Sequence, residues 1–121
     1  MLSQIHEIIP GVISAKDNGD GSFLVDTGSG YRALSDSERI DIAKASKKQS
    51  INDECAALIF AKWPVGRQLS CNAGMYLPAV VEQRDADVAA MIEASNTATA
   101  AVDAALTVEQ VEAVTATWPK I

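Results

Sequence analysis

Ile51–Gly74, INDECAALIFAKWPVGRQLSCNAG, is the stretch whose reading decides the fold. Ile51, Cys55, Leu58, Ile59 and Lys62 or Trp63 recur at i, i+4, i+7, i+8 and i+11 to i+12, the spacing that lines one face of a helix. Pro64 disfavours helical dihedrals at the residue before it, so the helix stops there. From Arg67 to Ala73 the sequence predicts a short further helical segment, closed by Gly74. The stretch therefore reads as scaffold, with Ile51, Cys55 and Leu58 expected in the core.

Working back from Ile51, Ser35 and Glu38 form a capping-box pair that predicts a helix starting at about Asp36. Lys44, Ser46, Lys47, Lys48 and Gln49 interrupt its apolar stripe, which resumes at Ile51. One long helix with a solvated middle is preferred to two helices meeting near Ser50, and the three lysines are then its wet face. Further back, Val12–Ala15, Phe23–Val25 and Tyr31–Leu34 read as three strands of a small antiparallel meander. Turn-forming residues separate them: Asp17-Asn18-Gly19-Asp20-Gly21 and Thr27-Gly28-Ser29-Gly30. Met1–Ile9 fits either one or two helical turns or an irregular arm.

Forward from Gly74, Pro78 suits the first turn of a helix, and the alanine-rich run after it predicts helix to about Ala105. Val81, Val88, Ile92, Val102 and Leu106 are its large apolar anchors, with Ser95 and Thr99 filling intermediate places on the same side. Thr107 and Gln110 repeat the capping pattern, opening a last helix with Val108, Val111, Val114 or Thr115 and Trp118 inward, stopped by Pro119. The sequence thus predicts an α+β fold in a single domain over 1–121. Its 1–35 region is a β-meander and its 36–121 region a helical hairpin or bundle.

Composition narrows the function classes. The 121 residues, 48% of them hydrophobic, suffice for one core, and the net charge of -6 disfavours nucleic acid or an anionic membrane as partner. No run of about 18 apolar residues predicts a transmembrane span, and MLSQIHEIIPG lacks the features of a secretory signal, so a cytoplasmic chain is expected. Cys55 and Cys71 form no C-x-x-C, and His6 is the only histidine, so no zinc site, disulfide or nucleophilic triad is expected. The cysteines read as small buried hydrophobes, and His6 as solvated or capping.

Asp17, Asn18 and Asp20 lack the twelfth-position glutamate of a calcium loop. Glu82, Asp85, Asp87 and Glu93 lack the Glu-x-x-His of a carboxylate metal site and read as a wet helix face. No metal and no cofactor is expected. Trp63 and Trp118 each precede a proline at a helix end. Their rings either anchor those ends in the core, the favoured reading, or join Arg67, Gln68 and Tyr76 in a partner-facing patch.

Two resemblances add functional expectations. Phe23-Leu24-Val25-Asp26-Thr27-Gly28-Ser29 resembles the signature of small homodimeric aspartic proteases. That likeness implies Asp26 as catalytic acid/base, sharing a proton with its counterpart in a second copy, and Thr27 and Gly28 as holders of the loop. Those enzymes are almost wholly β, whereas everything beyond Ser35 here reads as helix, so a plain turn is preferred and the protease is the alternative.

The broader resemblance is to small proteins encoded among bacteriophage and prophage tail genes. It is carried by the strand pair, turn and charged helix start of Phe23–Glu38, the proline-closed helix and Arg-Gln pair of Ile51–Gln68, and Ile92 with Ala94-Ser95-Asn96. Val65-Gly66 stands where an aromatic commonly precedes the arginine. The resemblance implies a non-enzymatic tail or tail-fibre protein, structural or assisting assembly, whose partners are other tail proteins. It would reside in the host bacterial cytoplasm or be incorporated in the virion tail. The acidic, alanine-rich helices add the expectation of a homo-oligomer.

Overall fold

The computed structural model describes residues 5, 8, 9, 11, 14–17, 23–28 and 30–121. The fold is α+β: strands β1 (Ser14–Asp17), β2 (Phe23–Asp26) and β3 (Tyr31–Ala33) precede helices α1 (Asp36–Lys62), α2 (Val65–Asn72), α3 (Pro78–Ala104) and α4 (Val108–Ala113). The strands form an antiparallel sheet in the order β1-β2-β3, with Ala15 opposite Val25 and Val25 opposite Arg32. Of the strand expected over Val12–Ala15, Ser14 and Ala15 are found in β1, and residues 12 and 13 lie outside the described residues. His6 and the Asn18–Gly21 turn lie outside the described residues.

Val25 is buried and packs with Ile5, Ile9 and Ile42, so the sheet covers the N-terminal part of α1. A second core lies further along: Ile51 of α1 meets Ala98, Val102 and Ala105 at the end of α3 and Val111 of α4. Helix α1 is the element common to both. Its start is the expected capping box, in which the Glu38 amide donates to Ser35 Oγ at 3.2 Å and the Ser35 amide donates to Glu38 Oε1 at 2.9 Å. The helix then runs unbroken to Lys62, as expected.

Cross-helix bonds fix how α1 and α3 run. Lys48 reaches Asp103, Ser95 donates to Asn52, and Trp63 reaches Asp87. Each step forward along α1 is a step backward along α3, so the pair is an antiparallel hairpin. At 27 residues each and 1.5 Å per residue, the helices are about 40 Å long.

Three expectations are corrected. Leu58 is 37% exposed, because the side of α1 that faces α3 carries Ile51, Cys55 and Trp63, and Leu58 falls at its edge. On α3 the buried stripe is Asp87, Met91, Ser95, Ala98 and Val102, while Ile92 faces out, as does Leu106 just beyond the helix end. Small residues fill the interior here, so the largest apolar side chains do not mark it. Helix α4 ends at Ala113 with Val114 extended, and Trp118 reaches the second core from a non-helical segment.

The lysines are corrected as well. Lys44 donates to the Asp103 carbonyl at 2.9 Å, Lys47 to the Glu112 carbonyl at 3.2 Å and Lys48 to Asp103 Oδ1 at 2.9 Å. They fasten α1 to the C-terminal ends of α3 and α4, where unpaired carbonyls and the helix dipole favour cations. Thr107 caps α4 by accepting from the Gln110 amide at 3.1 Å, and Gln110 Oε1 accepts from the Leu106 amide, one residue before the cap, at 2.8 Å.

Candidate functional site

Pro64 ends α1 and turns the chain into α2, and the polar anchor for this bend is buried. Trp63, 1% exposed, donates from Nε1 to Asp87 Oδ2 at 2.9 Å. Lys62 Nζ lies 2.7 Å from the same oxygen, and Gln83 Nε2 donates to Oδ1 at 2.7 Å. Burial pushes the Asp87 carboxyl up, but the hydrogen bonds from Lys62, Trp63 and Gln83 outweigh it and hold the group below its ordinary value. Asp87 is therefore not on the wet face. Its burial is possible because three donors meet it, Lys62 and Trp63 from the end of α1 and Gln83 from one turn earlier on α3.

Around that anchor the chain builds an end to the hairpin. Gln68 Nε2 donates to the Trp63 carbonyl at 2.7 Å, and Arg67 donates to the Lys62 carbonyl at 3.1 Å. The Arg67 guanidinium lies 4.1 Å from the Trp63 ring centroid and 5.9 Å from that of Tyr76, so it is held between two aromatic faces. Arg84 of α3 donates to Asn72 Oδ1 at 3.0 Å, tying the far end of α2 down.

Helix α2 closes in a Schellman arrangement: the Gly74 amide donates to the Cys71 carbonyl at 3.2 Å and the Met75 amide to the Ser70 carbonyl at 2.9 Å. Gly74 takes φ +74, the left-handed geometry such a closure requires. This motif ordinarily packs the residue after the glycine against an apolar side chain on the helix. Here the two helix positions are Ser70 and Leu69, and both Leu69 and Met75 remain largely exposed.

The tip thus presents Val65 and Leu69 on one side of α2, with Met75 and Leu77 beyond it, all exposed, on a backbone pinned by hydrogen bonds. Of the partner-patch residues named from sequence, Arg67, Gln68 and Tyr76 gather here. Trp63 is interior and supports them from beneath. Trp118 is half-buried against the core cluster of Ile51 and Val111, apart from this group. The apolar residues of the tip were missed as surface, and the signal for them was Leu69 and Met75-Tyr76-Leu77 flanking a helix-closing glycine.

Asp26 is the last residue of β2, beside the turn into β3. Its Oδ1 accepts from the Gly28 amide at 2.8 Å and from the Gly30 amide at 3.3 Å, an Asx-type turn in which both glycines take positive φ. Cys55 and Cys71 are buried free thiols, and burial pushes the Cys55 thiol up. Among the described residues no group of three or more His, Cys, Asp and Glu side chains could hold a metal ion, and no helix is long and apolar enough to cross a membrane. No family model, curated protein or solved structure matches this chain.

Proposed function

We propose that this chain is a non-enzymatic protein of bacteriophage-tail type, structural or assisting assembly, that works through protein–protein contact. The tip carries the reading. Exposed apolar side chains concentrated on a hydrogen-bonded, aromatic-braced bend are suited to a docking surface, because the ordering cost of the contact has been met within the fold. The resemblance of Phe23–Glu38, Ile51–Gln68 and Ile92–Asn96 to tail-gene products supplies the setting. Other tail proteins and further copies of the chain are the partners in this reading, and the host cytoplasm or the virion tail is its place of action.

The test is mass spectrometry of purified tails and tail-assembly intermediates from a phage-producing culture carrying the gene, alongside a deletion. Stoichiometric presence in either fraction, or stalled tails in the deletion, supports the reading. Absence from both fractions with normal tails in the deletion overturns it.

A further inference from the structure

The second unpartnered feature lies at the other end of the hairpin. Where the start of α1 meets the α3–α4 connection there is an open groove of about 460 Å3. Leu34, Ile40, Leu106 and Val108 supply its apolar lining, and Leu106 is 77% exposed at it. Glu109 and Glu112, three residues apart on α4 and so on one side of that helix, also line it. Asp36 and Arg39 line it too, but they are paired with each other. Among the described residues no cation pairs with the side chain of Glu109 or of Glu112. The groove is apolar with a net negative rim.

The tip has the complementary character. Between Trp63 and Val81 the sequence contains no acidic residue, and Arg67 is its only charged one. That guanidinium is fixed between Trp63 and Tyr76 beside the exposed Leu69, Met75 and Leu77. The tip is apolar with a positive charge. The two surfaces stand at opposite ends of helices about 40 Å long, so within one copy they cannot meet.

We propose that the tip of one copy docks into the groove of the next, joining copies head to tail. The charges favour this over tip against tip, where the two Arg67 guanidinium groups would face each other with no carboxylate supplied by the tip residues. A heterologous contact of this kind uses two different surfaces. A joined pair therefore retains one free tip on one copy and one free groove on the other, and the array either continues as a filament or closes into a ring, according to the rotation between neighbours. The inference rests on the contact function proposed above and names its partner as a second copy.

The experiment is sedimentation velocity on purified protein up to ~100 µM, well above the Kd of a micromolar contact. A tip variant carries Leu69→Glu and Leu77→Glu. A groove variant carries Glu109→Arg and Glu112→Arg, and a second groove variant, Leu106→Asp, leaves the α4 charges alone. All substituted side chains are surface ones, and circular dichroism verifies helix content. The wild type is expected to form species larger than a dimer, and each variant alone to stay monomeric.

An equimolar mixture of tip and groove variants is expected to form a one-to-one complex and nothing larger, since one intact tip and one intact groove remain. Arg67→Glu combined with the charge-reversed groove variant should likewise recover association. A monomeric wild type, full association by the tip variant or by both groove variants, or a mixture that stays monomeric overturns the proposal. Recovery of the chain from purified tails is read independently, so a monomeric protein found in tails sinks the head-to-tail contact and leaves the tail assignment standing.

Discussion

Trp63 and Asp87 meet across the hairpin, indole Nε1 donating to carboxylate Oδ2 at 2.9 Å, and the bond joins the last turn of α1 to the first half of α3 at the bend that sets α2. It is a buried contact between residues that look unrelated in sequence. Its removal leaves a donor with no acceptor rather than a simple gap.

Asp87→Ala is accordingly expected to lower stability by about 1–3 kcal/mol, the cost of stranding the Trp63 N–H and the Lys62 ammonium. Urea denaturation followed by Trp fluorescence measures it. A change below about 0.5 kcal/mol would show that water replaces the carboxylate without penalty.

Met91→Ala should cost about 2–5 kcal/mol, as large-to-small changes in a packed interior do. Leu58→Ala, on the exposed edge of α1, should stay within about 0.5 kcal/mol of wild type. Denaturation midpoints of the pair compare the two helix faces directly, and equal losses would mean that Leu58 is core after all.

Acid should loosen the start of α1. The Glu38 carboxyl is held down to about 2, first by the hydrogen bonds from Arg32, at 2.7 and 2.9 Å, and then by that of the Ser35 amide. A depressed folded value means stability that is complete above the ordinary glutamate value of about 4.3 and is lost as pH falls toward 2. Glu38→Gln should therefore be less stable than wild type at pH 7, and the difference should shrink between about pH 4 and pH 2. Thermal melts across that range test it, and a gap independent of pH would remove the ionised carboxylate from the explanation.

Ser35→Ala removes the acceptor for the Glu38 amide and should cost about 1 kcal/mol. Trp118→Ala should cost about 1–3 kcal/mol, less than a fully buried tryptophan, because its ring is half-buried against the Ile51 cluster. If Trp118→Ala were neutral in a melt, the non-helical segment from Val114 onward would not be part of the core.

Much of this architecture could be read locally. Ser35 with Glu38, Pro64, Pro78 and Thr107 with Gln110 act within a few residues, and each marks a boundary found at or beside the expected position. The faces were harder. On α3 Ser95 and Val102 face inward as expected, but Met91 and Ala98 line the interior with them in place of Ile92, leaving room for α1 to come close.

Four residues before Met91 the row continues to Asp87, which composition alone assigns to solvent. What makes Asp87 an interior residue is a tryptophan 24 positions away, and no local pattern carries that. The same holds for Lys44, Lys47 and Lys48, whose acceptors lie 55 to 65 residues further along. The groove needs Leu34, Ile40 and Leu106 brought together from three segments, so it too is a product of the tertiary fold.

Two of those lysines donate to main-chain oxygens and not to the side chains of the same residues. Any residue at 112 offers Lys47 the same carbonyl, and any residue at 103 offers one to Lys44. The glutamate at 112 is therefore at liberty to change without loosening the helix it belongs to. Descendants of this chain could rewrite the groove's charge, and with it the choice of partner, while the lysines that brace the groove from behind stay as they are.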